Sequence, residues 1–282
     1  MIGVVDSQVH IWDDSSQVVA NWPPGQAIQP WTLTPLTVEK LIAEMDAAGV
    51  SRAFLVPPAF DGIGRNDYSL AAAHAHPDRF VVMGRLPLDT PDAPELLDRW
   101  TEEPQGRGLR MSVFMPRQRE WLADGTLDWF WAAAERLGQP LMIYPGPVPE
   151  LIRAIGRIAQ RHENLKISID HMAAGPYDQV DEAAFAHLPD LLALAALPNM
   201  AIKASALPEH SSAEYPHRNI HPYIRQTIDA FGPERVFWGT DMPRLHVPYR
   251  SAVTMFTEEL GLSDRERALV MGEAICAWHG WD

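Results

Sequence analysis

Polar, ionisable side chains in this 282-residue chain recur directly after short apolar runs. The first such place is Asp6-Ser7-Gln8-Val9-His10; others are Arg110, Tyr144, Asp170-His171, Lys203 with Ser205, and Thr240-Asp241. A carboxylate such as Asp241 can take a proton from water. Imidazoles such as His10 and His171 can orient that carboxylate, polarise a carbonyl or pass the proton to a leaving oxygen. These three are the candidate catalytic residues. The competing reading of Asp241 is a hydrogen-bonded cap of the turn after Gly239-Thr240, and His171 taken alone would read as a packed core residue. The coincidence of the three favours chemistry. Lys203 needs a partner, because a lysine facing an apolar interior is costly to desolvate. We expect it to pair with Asp170 or Asp241, or to steady a developing oxyanion. Gln8 and Tyr144 join the list as substrate-binding candidates.

The elements that must carry these residues are apolar runs alternating with amphipathic stretches along the whole chain. Eight runs read as strands: Gly3–His10, Ala53–Pro57, Phe80–Leu86, Gly108–Val113, Pro140–Tyr144, Lys166–Asp170, Met200–Ala204 and Arg235–Gly239. They are continuously apolar rather than alternating, as parallel strands covered on both faces must be. Helical spacing marks Leu36–Ala48, Asp67–His76, Leu127–Leu137, Leu151–His162, Ile220–Phe231 and Tyr249–Leu260. Eight β-α units favour an α/β fold closed as a (β/α)8 TIM barrel, one domain over residues 1–282, above a very wide open sheet. No glycine-rich dinucleotide fingerprint follows the first strand. In such a barrel, polar residues at the carboxyl ends of strands face the mouth where chemistry occurs. The Pro/Trp-rich stretch Asn21–Pro35 is expected to lie over that mouth, where Trp12, Trp22 and Trp31 would pack on substrate, the competing reading being core packing or anchoring of a lid. A helix over Ser263–Met271 and a tail to Asp282 are expected outside the barrel.

Composition narrows the partners. A formal net charge of −14 argues against nucleic acid, which calls for clustered Lys and Arg. No apolar run approaches a membrane span, and no leader pattern opens the sequence. The single cysteine, Cys276, excludes an internal disulfide framework and points to a reducing compartment, so we expect a cytoplasmic protein. The sequence leaves a homo-oligomer open.

The run Asp6-Ser7-Gln8-Val9-His10-Ile11-Trp12, the pair Asp170-His171 and the run Gly239-Thr240-Asp241-Met242-Pro243 resemble the strand 1, 6 and 8 signatures of the amidohydrolase superfamily. Within amidohydrolase-related family 2 they are most similar to the branch that holds 2-pyrone-4,6-dicarboxylate lactonase and sugar-acid lactonases. The likeness spans the chain in order and spacing. Metal-holding members usually carry His-x-His after the first strand and a histidine after the fifth; here Gln8 and Tyr144 stand in those places. A neutral amide is a poor replacement for imidazole as a zinc ligand. The resemblance therefore implies no tightly held metal, the alternative being a weakly bound zinc or manganese on His10, His171 and Asp241. It also implies that Arg110, Arg117 and Arg218 grip substrate carboxylates through bidentate pairing. Surface ion pairs are the competing reading, and the one we assign to Arg119 and Arg225.

The expected activity is that of a metal-independent hydrolase opening a carboxylate-bearing lactone with Asp241-activated water. Two alternatives are a metal-dependent decarboxylase of the same branch and a non-catalytic barrel that binds a small, anionic molecule.

Overall fold

The structure, a computed structural model, describes residues 3–14, 33–59, 64–175 and 179–281. Eight strands form one parallel sheet in sequential order: β1 (Val4–Val9), β2 (Val50–Leu55), β3 (Phe80–Gly84), β4 (Gly106–Ser112), β5 (Leu141–Tyr144), β6 (Ile167–Ile169), β7 (Met200–Ser205) and β8 (Val236–Gly239). The sheet curls until its edges meet. Val9 bridges Met242 in parallel, His10 N donates to Met242 O at 2.8 Å, and Asp241 N donates to Gln8 O at 2.9 Å. This is the (β/α)8 barrel expected from the alternation of runs. The closing bonds lie at the carboxyl ends of β1 and β8, so the act of closure sets Gln8, His10 and Asp241 side by side.

The outer helices form where the apolar spacing says they should. In the helix Val38–Ala48, Leu41, Met45 and Ala48 are buried, Thr37 caps the amino end by accepting from Lys40 N, and Gly49 ends it at φ 78°. In Pro149–Arg161 the buried stripe is Leu151, Ile152, Ile155, Ile158 and Ala159. Among the described residues, α-helices stand where none was expected at Ala93–Thr101, Pro116–Asp124, Asp181–Ala184, Leu188–Leu192 and Ala274–His279. Ala93–Thr101 buries Ala93, Leu97 and Trp100, while Pro116–Asp124 fully buries no residue and sets the half-buried Trp121 and Leu122 on the core, too few to make an apolar period. The stretch expected as one helix over Tyr249–Leu260 is helical through Thr254 and then loosens into a π turn over Met255–Glu259.

Two apolar layers hold the barrel. One lies between strands and helices; the other fills the interior with Val5, Phe54, Val81, Met142 and Phe237. The carboxyl-terminal segment was expected outside the barrel, and the structure corrects this: Ile275, Cys276 and Trp281 pack onto that interior cluster and stopper the amino-terminal end of the cylinder. Without them Phe54 and Phe237 would face water. Trp12 is a core residue at 2% exposure. Trp22, Trp31 and residues 21–32 of the expected lid lie outside the described residues. Among the described residues no helix is long and apolar enough to cross a membrane.

Candidate active site

Three consecutive strands end in the same unusual way. His171 after β6, Ala206 after β7 and Asp241 after β8 adopt left-handed backbone, with φ of 56°, 60° and 61°. A non-glycine residue pays of order 1 kcal/mol for that conformation, and such strain collects at functional sites. It swings His171 and Asp241 off their strands and into the mouth. Gly239, two residues before Asp241, is required for closure, since a β-carbon there would collide with Ser7 Oγ and lie 3.0 Å from Asp6 Oδ1.

The resulting cluster is compact and dry. Asp241 Oδ1 lies 2.9 Å from His10 Nε2, 3.8 Å from His171 Nε2 and 2.8 Å from Gln8 Nε2. All four side chains are buried. Burial opposes ionisation of Asp241, but His171, Arg244 (Nη1 3.5 Å from Oδ2) and His10 outweigh it together, holding the carboxyl well below the usual carboxylate range. Asp241 is thus an ionised acceptor at neutral pH. His171 is the opposite case: burial lowers it to about 4, against the pull of Asp241 and Asp170, so the ring is neutral. Its Nδ1 lies 2.9 Å from Ser205 Oγ and its Nε2 lies 3.2 Å from the Gln8 amide nitrogen. The amide can only donate, so Nε2 carries the lone pair and Nδ1 the hydrogen. In His10 both nitrogens face acceptors, Val56 O at 2.7 Å and Asp241 Oδ1 at 2.9 Å. That pattern suits the doubly protonated ring, whereas burial lowers its pKa despite the Asp241 contact. The His10 Nε2 proton is therefore held between two groups that compete for it.

Behind this layer stands a second one. Lys203, fully buried on β7, pairs with Asp170 Oδ1 at 3.0 Å, donates to Gln8 Oε1 and touches Met142 Sδ at 3.3 Å. Asp170 also takes Arg110 Nε at 3.0 Å; burial pushes its carboxyl up, and Lys203 and Arg110 more than reverse this, to about 2. Of the partners expected for Lys203, Asp170 is the one found. Its ammonium is directed at Gln8 and Asp170 rather than at a reacting oxyanion. Tyr144 donates to Ala174 O at 3.0 Å and sets its ring edge-on to His171, with burial pushing the phenol up to about 12.

The arginines separate into two groups. Arg110 is buried beside the cluster, with Nη1 donating to Ser112 Oγ at 2.9 Å. Arg117 and Arg218 are exposed and paired elsewhere, with Asp89 and with Glu259 respectively, and the described contacts do not bring them to Asp241. One arginine in the mouth was overlooked. Arg85, the first residue after β3, is only 6% exposed, and the one side-chain hydrogen bond it makes among the described residues runs from Nε to Pro57 O at 2.7 Å. Burial lowers its pKa strongly, and the charges that act on it next are Arg110, Asp170, Arg244 and Asp241. A buried guanidinium that no carboxylate among the described residues pairs with is costly unless an anion joins it. The strand-end rule that picked out the other residues would have found Arg85, had the third strand been ended at Gly84.

A strand-ordered barrel with Asp6-x-Gln8-x-His10, His171 and Asp241 at one rim invites comparison with known proteins. The amidohydrolase family model Amidohydro_2 matches residues 5–275. The chain belongs to the amidohydrolase family. Among curated relatives of this amidohydrolase, L-fucono-1,5-lactonase of Burkholderia ambifaria is 28% identical over 245 residues, covering 85% of this chain and 80% of its own. A 4-sulfomuconolactone hydrolase of Hydrogenophaga intermedia is 25% identical over 261 residues, covering 86% and 75%. Among solved structures, an amidohydrolase from Burkholderia multivorans with bound zinc superposes with a TM-score of 0.83 at 21% identity, covering 98% of this chain and 99% of that one.

Zinc in that neighbour raises the question of whether these residues fit a metal. Zinc takes three or four lone-pair donors. His10, His171 and Asp241 converge, but the point between them is faced by the Gln8 amide nitrogen, which has no lone pair to give. Among the described residues no group of three or more His, Cys, Asp or Glu has the arrangement of a metal site. As hydrogen-bonded here, the cluster does not fit the ion.

Proposed function

We propose that this amidohydrolase opens a lactone carrying a carboxylate or similar anionic group, using water activated by Asp241 and no tightly held metal. The observation that carries the reading is an ionised, buried Asp241 in hydrogen-bond reach of His10, with the anion-seeking guanidinium of Arg85 acting on the same mouth. Two relatives that bear lactones in their names lend it support.

Asp241 takes a proton from water as the water oxygen bonds to the lactone carbonyl carbon, and the carbonyl electron pair moves onto its oxygen. The developing negative charge lies in the field of Arg244 and Arg85. On collapse the ring C–O bond breaks, and His10 passes the proton from Asp241 to the leaving alkoxide. The product is a hydroxy acid. A lactone suits a site without a Lewis acid, because its ester carbonyl is more electrophilic than an amide's.

The test is a panel of acidic and neutral lactones assayed with and without a chelator. Hydrolysis unaffected by chelation is expected, with acidic lactones favoured. Asp241→Asn should lower kcat by roughly a thousandfold. Stoichiometric zinc or manganese whose removal abolishes turnover would contradict the mechanism.

A further inference from the structure

Gln8 is pinned from both ends. Its Oε1 accepts from Lys203, which has only donors, and its Nε2 lies 2.8 Å from Asp241 Oδ1, which has only acceptors. Turning the amide over would set N–H against N–H at one end and oxygen against oxygen at the other. Every polar atom of the side chain is thereby spent: one N–H on Asp241, the other on His171 Nε2 at 3.2 Å, the oxygen on Lys203. None is left over for substrate. Lys203 is equally committed, to Gln8, to Asp170 and against Met142 Sδ.

We propose that Gln8, held by Lys203, is a positioning residue that takes the place of a cation in this mouth. The ammonium polarises the amide carbonyl, and a polarised amide is a stronger N–H donor. Positive charge from a lysine behind the site is thus relayed to the centre of the His10–His171–Asp241 group, where it holds the Asp241 carboxylate and fixes the His171 tautomer. Asp170 balances the lysine, and Arg110 holds Asp170. This accounts for a fully buried lysine in a barrel interior, and for an amide facing two imidazoles and a carboxylate.

The kinetic part of the test rests on the lactone-hydrolase reading; two other parts do not. First, wild type and Gln8→His are prepared with added zinc and dialysed. Wild type should keep less than about 0.1 equivalent, and the variant, which sets a second imidazole lone pair two residues before His10, close to about one. Second, imidazole ¹⁵N shifts in wild type should show His171 protonated on Nδ1 and bare on Nε2. Gln8→Glu, which turns the donor into an acceptor, should move the hydrogen to Nε2. Third, Gln8→Glu, Gln8→Met and Lys203→Met should lower kcat on the best lactone by about a hundredfold, with KM within about threefold. If no lactone is turned over, the functional reading fails while the first two measurements still decide this one. A wild type that holds one equivalent of zinc, a Gln8→His that takes up none, or a Gln8→Glu with an unchanged His171 tautomer would each overturn the proposal.

Discussion

Asp241 and His171 sit in the same buried group, yet their protonation is pushed in a way that keeps one charged and the other neutral. Near pH 7 both are in the state that the hydrogen bonds require: a carboxylate accepting from Gln8, and an imidazole whose Nε2 also accepts from Gln8. Protonating His171 would break the second contact. Its pKa of about 4 lies above that of Asp241, which is held well below the usual carboxylate value, so His171 titrates first as pH falls. Loss of the His171 contact should therefore give the kcat/KM profile an acid limb near pH 4. An acid limb near 6.5, the ordinary imidazole value, would mean a solvated ring and refute the assignment. The arginines give a second prediction at this scale. Arg85→Met should raise KM about thirtyfold for acidic lactones, the worth of one charge-assisted contact, and leave neutral ones unchanged. Arg117→Met and Arg218→Met should stay within about twofold, because exposed ion pairs contribute little. Equal losses for all three would remove Arg85 from substrate binding.

Among the strands and loops, the decisive joint is the one between β1 and β8, and Asp6 ties it. Buried at that joint, its two oxygens accept from Gln8 N and Thr240 N at 3.0 Å, from Thr240 Oγ1 at 2.5 Å and from Tyr249 Oη at 2.7 Å. Asp6→Ala leaves these donors without an acceptor in a dry place. We expect a loss of about 4 kcal/mol, roughly 10 °C in Tm, together with loss of activity as Gln8 and Asp241 drift apart. A variant with wild-type Tm would show that the joint is held by the backbone alone. The sequence displayed Asp6 only as the first residue of a motif, since nothing local says which donors will surround it. The eight strands were legible because burial on both faces leaves a continuous apolar run. The helix Ala93–Thr101 was readable in hindsight from Ala93, Leu97 and Trp100 at helical spacing, with Pro94 in its first turn. Pro116–Asp124 was not, because a helix with just Trp121 and Leu122 half-buried on the core leaves no periodic signal. Arg85 was hidden because β3 ends two residues earlier than its apolar run, and Arg117 and Arg218 were misleading because the path of the chain after a strand, for Arg117 a short helix, decides where its arginine goes. The same limit applies to Gln8: its identity was visible, but the orientation of its amide depends on Lys203, 195 residues away.

The whole cylinder is a packed barrel, stoppered at one end and chemically armed at the other, and its stability against acid follows from what both ends bury. At the stoppered end His279 donates from Nδ1 to Arg107 O at 3.0 Å and lies against Phe54; burial lowers its pKa to about 3. At the mouth His171 is lowered to about 4 by the same cause. In the unfolded chain both titrate near 6.5. Between these values the unfolded state binds more protons than the folded one, so folding free energy is fully present above about pH 6.5 and drains away as pH falls toward 4 and then 3. Two such groups should together cost about 4 kcal/mol between pH 7 and pH 5. Asp170, held at about 2, adds a further loss only below its unfolded value near 3.8. Denaturant unfolding at pH 7, 6 and 5 measures the slope. His279→Gln removes one of these titrations far from the mouth, so it should lessen the loss over that range by about 2 kcal/mol and leave the acid limb of activity near pH 4 where it was. A variant that loses as much stability between pH 7 and 5 as the wild type would show that His279 is not held neutral by its burial under the barrel.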